Sequence, residues 1–208
     1  MRKSPLSILI AASITVVAVT VSSQALAYGA GDVFTRLGVA KVAPKSDNGN
    51  LVNGAVKADV QDETDFAFTL GYRFTDKMGV ELLAALPFKH DIELNGANLA
   101  STKHLPPSLT LQYYPLGGTD AYVQPYIGVG VNYTRFSNEK SDLGDLELDD
   151  SWGAAGQLGI DLLIDDHWAL NGAAWYLDID TDAKLDGADI GTVNIDPWVV
   201  MGAVSYRF

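Results

Sequence analysis

Asp65-Phe66-Ala67-Phe68-Thr69-Leu70-Gly71-Tyr72-Arg73-Phe74 is the stretch on which the fold of this chain turns. Phe66, Phe68, Leu70, Tyr72 and Phe74 share one parity, and Asp65, Ala67, Thr69, Gly71 and Arg73 share the other. Side chains of a strand point alternately to its two faces, so a period of two predicts a β-strand with unlike sides. The pattern recurs. Trp198, Val200, Gly202, Val204, Tyr206 and Phe208 oppose Val199, Met201, Ala203, Ser205 and Arg207. Val80, Leu82, Ala84, Leu86 and Phe88 oppose Glu81, Leu83 and Ala85, and Trp152 to Leu162 alternates in the same way against Gly153, Ala155, Gln157, Gly159 and Asp161.

Working outward gives eight such segments, at 32–45, 64–74, 78–88, 104–115, 122–136, 151–163, 168–180 and 190–208. Each reaches the roughly 9–11 residues that a tilted strand needs to cross a bilayer. The connections alternate: Thr75-Asp76-Lys77, 116–121 and 164–167 are short, whereas 46–63, 89–103, 137–150 and 181–189 are longer and polar. Short turns at one end and long loops at the other predict an all-β, eight-stranded antiparallel transmembrane barrel, with periplasmic turns and outer loops. A soluble β-sandwich or lipocalin-like barrel alternates too, with its apolar face inward. Three features favour the membrane. The apolar faces run uninterrupted while the opposite faces mix Gly, Ala and charge; aromatics gather at strand ends (Tyr72, Phe74, Phe88, Tyr113, Trp168, Tyr206, Phe208); and the last strand closes on Tyr206-Arg207-Phe208. Phe208 is therefore expected to act as an assembly signal read by the barrel-assembly machinery.

The N-terminal segment supplies an address. Arg2 and Lys3 precede an apolar run from Leu6 to Val21, and Ala25-Leu26-Ala27 offers a small-x-small cleavage site. That combination predicts a cleaved signal peptide over 1–27 and a barrel over 28–208, exported to the outer membrane. The chain carries 14 Lys+Arg against 26 Asp+Glu, and losing Arg2 and Lys3 takes the net charge from −12 to −14. Such a balance argues against a nucleic-acid partner. With no cysteine, disulfide frameworks and thiolate metal sites are excluded.

Six stretches, in order, resemble the OmpW family of outer-membrane barrels, which includes the alkane-uptake protein AlkL. They are Gly79 to Ala85, Lys103-His104-Leu105-Pro106-Pro107, Pro125 to Tyr133, Asp150 to Gln157, Trp175 to Thr181, and Asp196-Pro197-Trp198 with terminal Tyr206-Arg207-Phe208. The resemblance implies an eight-stranded barrel that passes small hydrophobic molecules, with a constriction at Leu83 and Trp175. Outer loops 1 and 4 are this chain's own, so no ligand preference carries over.

If the aromatic faces meet lipid, the lumen holds Arg36, Thr69, Arg73, Glu81, Gln112, Gln157, Asp161, Asn171 and Arg207, together with Leu83, Ala85, Ala173, Trp175 and Leu177. Arg36, Arg73, Glu81, Asp161 and Arg207 fall near periplasmic strand ends, which predicts a mutually neutralising charged plug. Leu83, Ala85, Trp175 and Leu177 fall further out and predict an apolar well. A barrel of eight strands is just wide enough to be filled by side chains or to hold one small ligand. The plug reads as packing that satisfies buried charge rather than as a selectivity ring, because so narrow a lumen leaves no water column. Pro87 ends the third predicted strand and Pro106-Pro107 begin the fourth. Proline has no ladder N–H to donate, so these three mark a candidate lateral opening.

Other patterns are weaker. Asp178, Asp180, Asp182 and Asp189 follow calcium-loop spacing, but Ala183 replaces the turn glycine and Asp189 the bidentate Glu. His90, His104 and His167 lack metal-ligand spacing, and Ser108 near His104 has no nucleophile motif around it. The sequence therefore predicts no cofactor, no metal and no enzyme. Its expected partners are outer-membrane lipids, lipopolysaccharide and small hydrophobic solutes. The competing reading is a structural or receptor protein whose outer loops bind phage, bacteriocin or host.

Overall fold

The structure is a computed structural model, which describes residues 29–85 and 88–208. The signal peptide expected over 1–27 and Pro87 lie outside the described residues. Fifteen strands occur among the described residues: β1 (Val33–Ala43), β2 (Asn50–Leu51), β3 (Val56–Val60), β4 (Glu63–Arg73), β5 (Met78–Ala85), β6 (Phe88–Leu94), β7 (Ala97–Leu105), β8 (Ser108–Tyr113), β9 (Val123–Ser141), β10 (Leu146–Leu148), β11 (Ser151–Leu163), β12 (Trp168–Leu177), β13 (Asp180–Leu185), β14 (Ala188–Asn194) and β15 (Trp198–Arg207).

Eight of them close a barrel in the order β1, β4, β5, β8, β9, β11, β12, β15, every neighbour antiparallel. The ring shuts where β15 returns to β1, from Phe34↔Arg207 to Ala43↔Trp198. Closure gives each of the eight strands a paired neighbour on both sides, which the bilayer demands because an unsatisfied backbone group has no water to turn to there. The faces expected to meet lipid do point outward: Leu70 is 53% exposed and Val129 69%. Near the periplasmic end Tyr206 packs edge-on against Trp168 (4.7 Å) and Phe208 (5.0 Å), a local piece of aromatic girdle.

Three expectations need correction. The fourth predicted strand is two, because Pro106-Pro107 interrupt it between β7 and β8 rather than begin it. The eighth is also two, parted at Asp196-Pro197, where Asp196 takes a φ of 38°. Most consequentially, the outer loops are not mere polar connections. β6 and β7 form a hairpin on Asn95-Gly96 (φ 50° and 79°), and β13 and β14 form one on Asp186-Gly187 (φ 49° and 77°), the positive-φ pairs that a type I′ turn requires. With β2, β3, β10 and the upper half of β9 these hairpins raise a second storey above the barrel. It is stitched across β2 and β14 by the Val52 N–H to the Ile190 carbonyl (2.7 Å) and the Asn194 N–H to the Asn48 carbonyl (2.9 Å).

Candidate functional site

The lower lumen is organised around Arg36 on β1. Its Nε and Nη2 donate to Asp161 at 3.2 and 2.6 Å, and its Nη1 donates to Glu81. Glu81 also accepts from Thr69 (2.9 Å), Gln112 (3.1 Å) and Gln157 (2.7 Å), and Asp161 accepts from Asn171 (2.7 Å). The guanidinium lies between two aromatic faces, 4.4 Å from the Phe34 ring centre and 4.7 Å from that of Tyr126. Both rings occupy space left by lumen glycines: a methyl at Gly71 would collide with Phe34, and one at Gly159 with Tyr126. All of these side chains are buried. Charges so placed are tolerated only when paired and fully hydrogen-bonded, and this arrangement meets that condition.

The predicted five-residue plug is thus divided. Arg36, Glu81 and Asp161 form one network. Arg73 instead lies over the Tyr114 ring (3.9 Å) and donates to the Asp76 carbonyl in the first periplasmic turn. Arg207 pairs with Asp32 (3.1 Å) and donates to the Asp166 carbonyl. These two arginines serve the turns because their strands end there. Asp32, the partner of Arg207, has no signal of its own in the sequence.

Above this floor Leu83, Trp175 and Leu177 are buried and Ala85 is half-buried, as expected of inward positions. Among the described residues the space they line is narrow. The cavity at their level, between Leu83, Ala85, Val42, Ala67, Pro106 and Val199, measures about 10 Å³, the least that holds one water-sized group. Trp175 is the cross-strand neighbour of Val199 in its wall. A wider apolar chamber lies higher, in the second storey: a cavity of about 80 Å³ lined chiefly by Leu51, Val60, Ile92, Leu148, Ala183 and Val193. These six were missed. Their signals were the Val56-Lys57-Ala58-Asp59-Val60 alternation and the Asn-Gly and Asp-Gly pairs, which announce hairpins inside nominal loops.

Among the described residues the wall beside the neck has a break in its ladder. Pairing of β5 with β8 ends at Leu83↔Ser108, and the next pair on that seam is Phe88↔His104 of β6 and β7. Pro106 and Pro107 fall in the gap with no N–H to offer. The Pro107 carbonyl is held from the other side by the Tyr133 N–H of β9 (3.0 Å), and the Pro106 carbonyl by Ser108 Oγ (3.2 Å).

The remaining candidates are accounted for by structure. Ser108 also accepts from Asn132 (3.0 Å), so its hydroxyl is a packing group. The calcium-loop pattern does not assemble: Asp182 accepts from Thr192 (2.7 Å) and Asp189 from the Gly191 N–H (2.9 Å). Asp178, Asp180 and Asp196 instead approach one another at the rim, where Lys45 (2.8 Å from Asp196) supplies a countercharge.

With this geometry in view, comparison with known proteins is decisive. The OmpW family profile matches residues 29–208. The chain belongs to the OmpW family. It is 40% identical to outer membrane protein W of Vibrio cholerae over 211 residues, spanning 94% of this chain and 97% of the relative. The crystal structure of OprG from Pseudomonas aeruginosa superposes with a TM-score of 0.80 at 40% identity, covering 88% of this chain and 98% of that one. A more distant relative, the dibenzothiophene metabolism operon protein PahQ of Pseudomonas aeruginosa, is 29% identical over 77% of this chain and 79% of its own length. Membership places this OmpW-family chain in the outer membrane as a β-barrel.

Proposed function

We propose that this barrel is a conduit for passive uptake of small apolar molecules: the solute enters the outer chamber, passes the neck, and leaves sideways into the bilayer between β5 and β8. One observation carries the reading. The apolar cavity stands directly over a floor of buried, mutually bonded charge, with a gap in strand pairing at the level between them. Straight descent to the periplasm would require opening the Arg36–Glu81–Asp161 network, and parting a buried pair costs about 3–5 kcal/mol. An apolar solute would then meet water, against a transfer preference of roughly 0.8 kcal/mol per methylene for hydrocarbon. The seam beside Pro106 avoids both costs. In this reading Leu83, Ala85, Trp175 and Leu177 form the constriction, and Pro87, Pro106 and Pro107, which offer no ladder N–H, mark the lateral opening. The operon name of PahQ, which refers to an apolar sulfur heterocycle, is in keeping with that solute class.

The test closes the seam. Cysteines replacing Ala85 and Pro106, which line the same small cavity, are oxidised to a cross-link in the folded barrel. Delivery of an apolar fluorophore into liposome membranes should slow several-fold and recover on reduction. In parallel, Leu83→Arg and Trp175→Asp should cut delivery without lowering the folded fraction. Wild-type rates with the seam closed would exclude the lateral route, and wild-type rates in both constriction variants would return those residues to packing.

A further inference from the structure

In a chain with nearly two carboxylates per cation, every exposed lysine has an acid within easy reach, and most use one. Lys41 pairs with Asp62 (2.7 Å), Lys45 with Asp196 (2.8 Å), Lys57 with Asp59 (3.0 Å), Lys89 with Asp91 (3.0 Å) and Lys184 with Asp149 (2.8 Å). Among the described residues the exposed Lys77, Lys103, Arg135 and Lys140 make no ion pair; Lys77 stands alone in the first periplasmic turn, and the other three sit side by side. Lys103 on β7 is paired in register with Ser137 of β9, Arg135 of β9 with Leu105 of β7, and Lys140 with Ser101. Alternation puts Lys103 and Arg135 on the outward wall of the second storey, opposite in parity to the buried Thr102, Thr134 and Phe136, and a bulge at Asn138 (φ 55°) brings Lys140 to the same face opposite Ser101; all three are exposed. Lys89 lies directly across from Lys103 on the same face, and like charges so placed repel. Most acids nearby are engaged or turned away, while Asp142 shares an open surface recess with Lys140. Asp91 is taken by Lys89, and Asp150 accepts from the Tyr133 hydroxyl (2.6 Å). Glu139 has the parity of Ser141, which lines the chamber, and Asp142 follows at the strand's tip.

The height of this patch identifies its partner. Tyr133 lies on the same face of β9, two residues before Arg135, and its ring meets that of Trp152 at 4.8 Å. Tyr–Trp pairs with a polar edge mark the level where acyl chains give way to headgroups. Two residues of strand rise about 7 Å, so Arg135 stands just above that level and Lys103 and Lys140 somewhat higher. Long basic side chains there reach phosphates while their stems cover apolar wall.

We propose that the outward wall of β6, β7 and upper β9 is a docking site for a phosphorylated glycolipid headgroup of the outer leaflet, the lipid A of lipopolysaccharide, with Lys103, Arg135 and Lys140 as phosphate ligands. Three cations spread over two strands span a headgroup that carries phosphates at its two ends, and the long β9 ladder holds them at fixed spacing. The barrel is thereby seated in a leaflet whose anionic surface would otherwise repel so acidic a chain.

The experiment measures binding of a fluorescent bis-phosphorylated lipid A to the refolded barrel in zwitterionic micelles free of divalent cations. The variants are the triple Lys103→Gln/Arg135→Gln/Lys140→Gln and a charge-matched control, Lys41→Gln/Lys57→Gln/Lys184→Gln; equal unboiled gel mobility verifies folding in each. Surface charges contribute about fivefold each in such contacts, so the first variant should bind at least tenfold more weakly while the control stays within twofold of wild type. Dephosphorylated lipid A should bind wild type no better than the triple variant binds the phosphorylated lipid, and added salt should weaken the wild-type interaction. Equal affinity in the two triple variants, or no preference for the phosphorylated lipid, would overturn the proposal. Full displacement of lipid A by millimolar inorganic phosphate would reduce the patch to a free-anion site and overturn the lipid assignment.

Discussion

The lower lumen and the second storey solve one problem, filling a narrow β-tube, in opposite ways. Below Leu83 the interior is solid: Arg36, Glu81, Asp161, Gln112, Gln157 and Asn171 cross-link the wall, and glycines are spent to let Phe34 and Tyr126 close on the guanidinium. Above it, where β6, β7, β10, β13 and β14 continue the wall, inward residues are mostly aliphatic and leave a cavity. Polar groups in a dry tube must find partners, so they draw the wall in and seal it. Aliphatic groups have no such demand and leave room when the wall is wide. The difference teaches that lumen polarity, more than strand number, decides whether a small barrel is shut or hollow.

The comparison breaks first at Arg36. Arg36→Met should lower barrel stability by about 3–5 kcal/mol, because Glu81 and Asp161 are left buried without a cation. Adding Glu81→Gln and Asp161→Asn should restore most of the loss. Urea unfolding in lipid vesicles, followed by tryptophan emission, reads both; a single variant as stable as wild type would mean the floor is hydrated. A smaller effect belongs to the glycines. Gly71→Val forces a side chain against Phe34 and should cost about 1–3 kcal/mol by overpacking. The same change at Gly187, where a Cβ meets nothing, should act only through its turn φ of 77° and leave barrel unfolding untouched, while loosening the β13–β14 hairpin in hydrogen exchange.

The smallest effect sharpens the upper half. His90 is buried in the second-storey wall with its Nδ1 2.7 Å from the Gln61 carbonyl. Burial pushes its pKa below the usual 6.5, against the opposing pull of that carbonyl and of Glu63, Asp62 and Asp91. The unfolded wall therefore binds more protons below about pH 6.5 than the folded wall does, and the stability that neutral His90 contributes is lost as pH falls through that value. Amide protection factors in β3, β6 and β7, which take out the intrinsic pH dependence of exchange, should be lower at pH 5.5 than at pH 7.5, and His90→Gln should flatten the difference. A pH-independent pattern in the wild type would remove His90 from the account.

The barrel was legible because its strands advertise themselves twice, by parity and by length: Asp65 to Phe74 reads correctly residue by residue, as do the inward positions Arg36, Thr69, Glu81, Gln157 and Asp161. The second storey was not, because Val56 to Val60 and Leu146 to Leu148 are short and embedded in charged, glycine-rich stretches that look like loops. Their apolar residues acquire an inside only when four separate connections converge, and that convergence spans more than a hundred residues of chain.

Sequence alone determined the period-two strands, the lipid-facing and lumen-facing parities, and hence a membrane barrel with buried charge near its periplasmic end; these follow from local alternation and need no partner to be known. Only the tertiary structure decided which charges meet, that Arg36 rather than Arg73 or Arg207 gathers Glu81 and Asp161, and that an apolar chamber stands above Leu83 and Trp175. Strand parity states which way a side chain points. Register and closure set which other side chains lie across the tube, and those are properties of all eight strands at once.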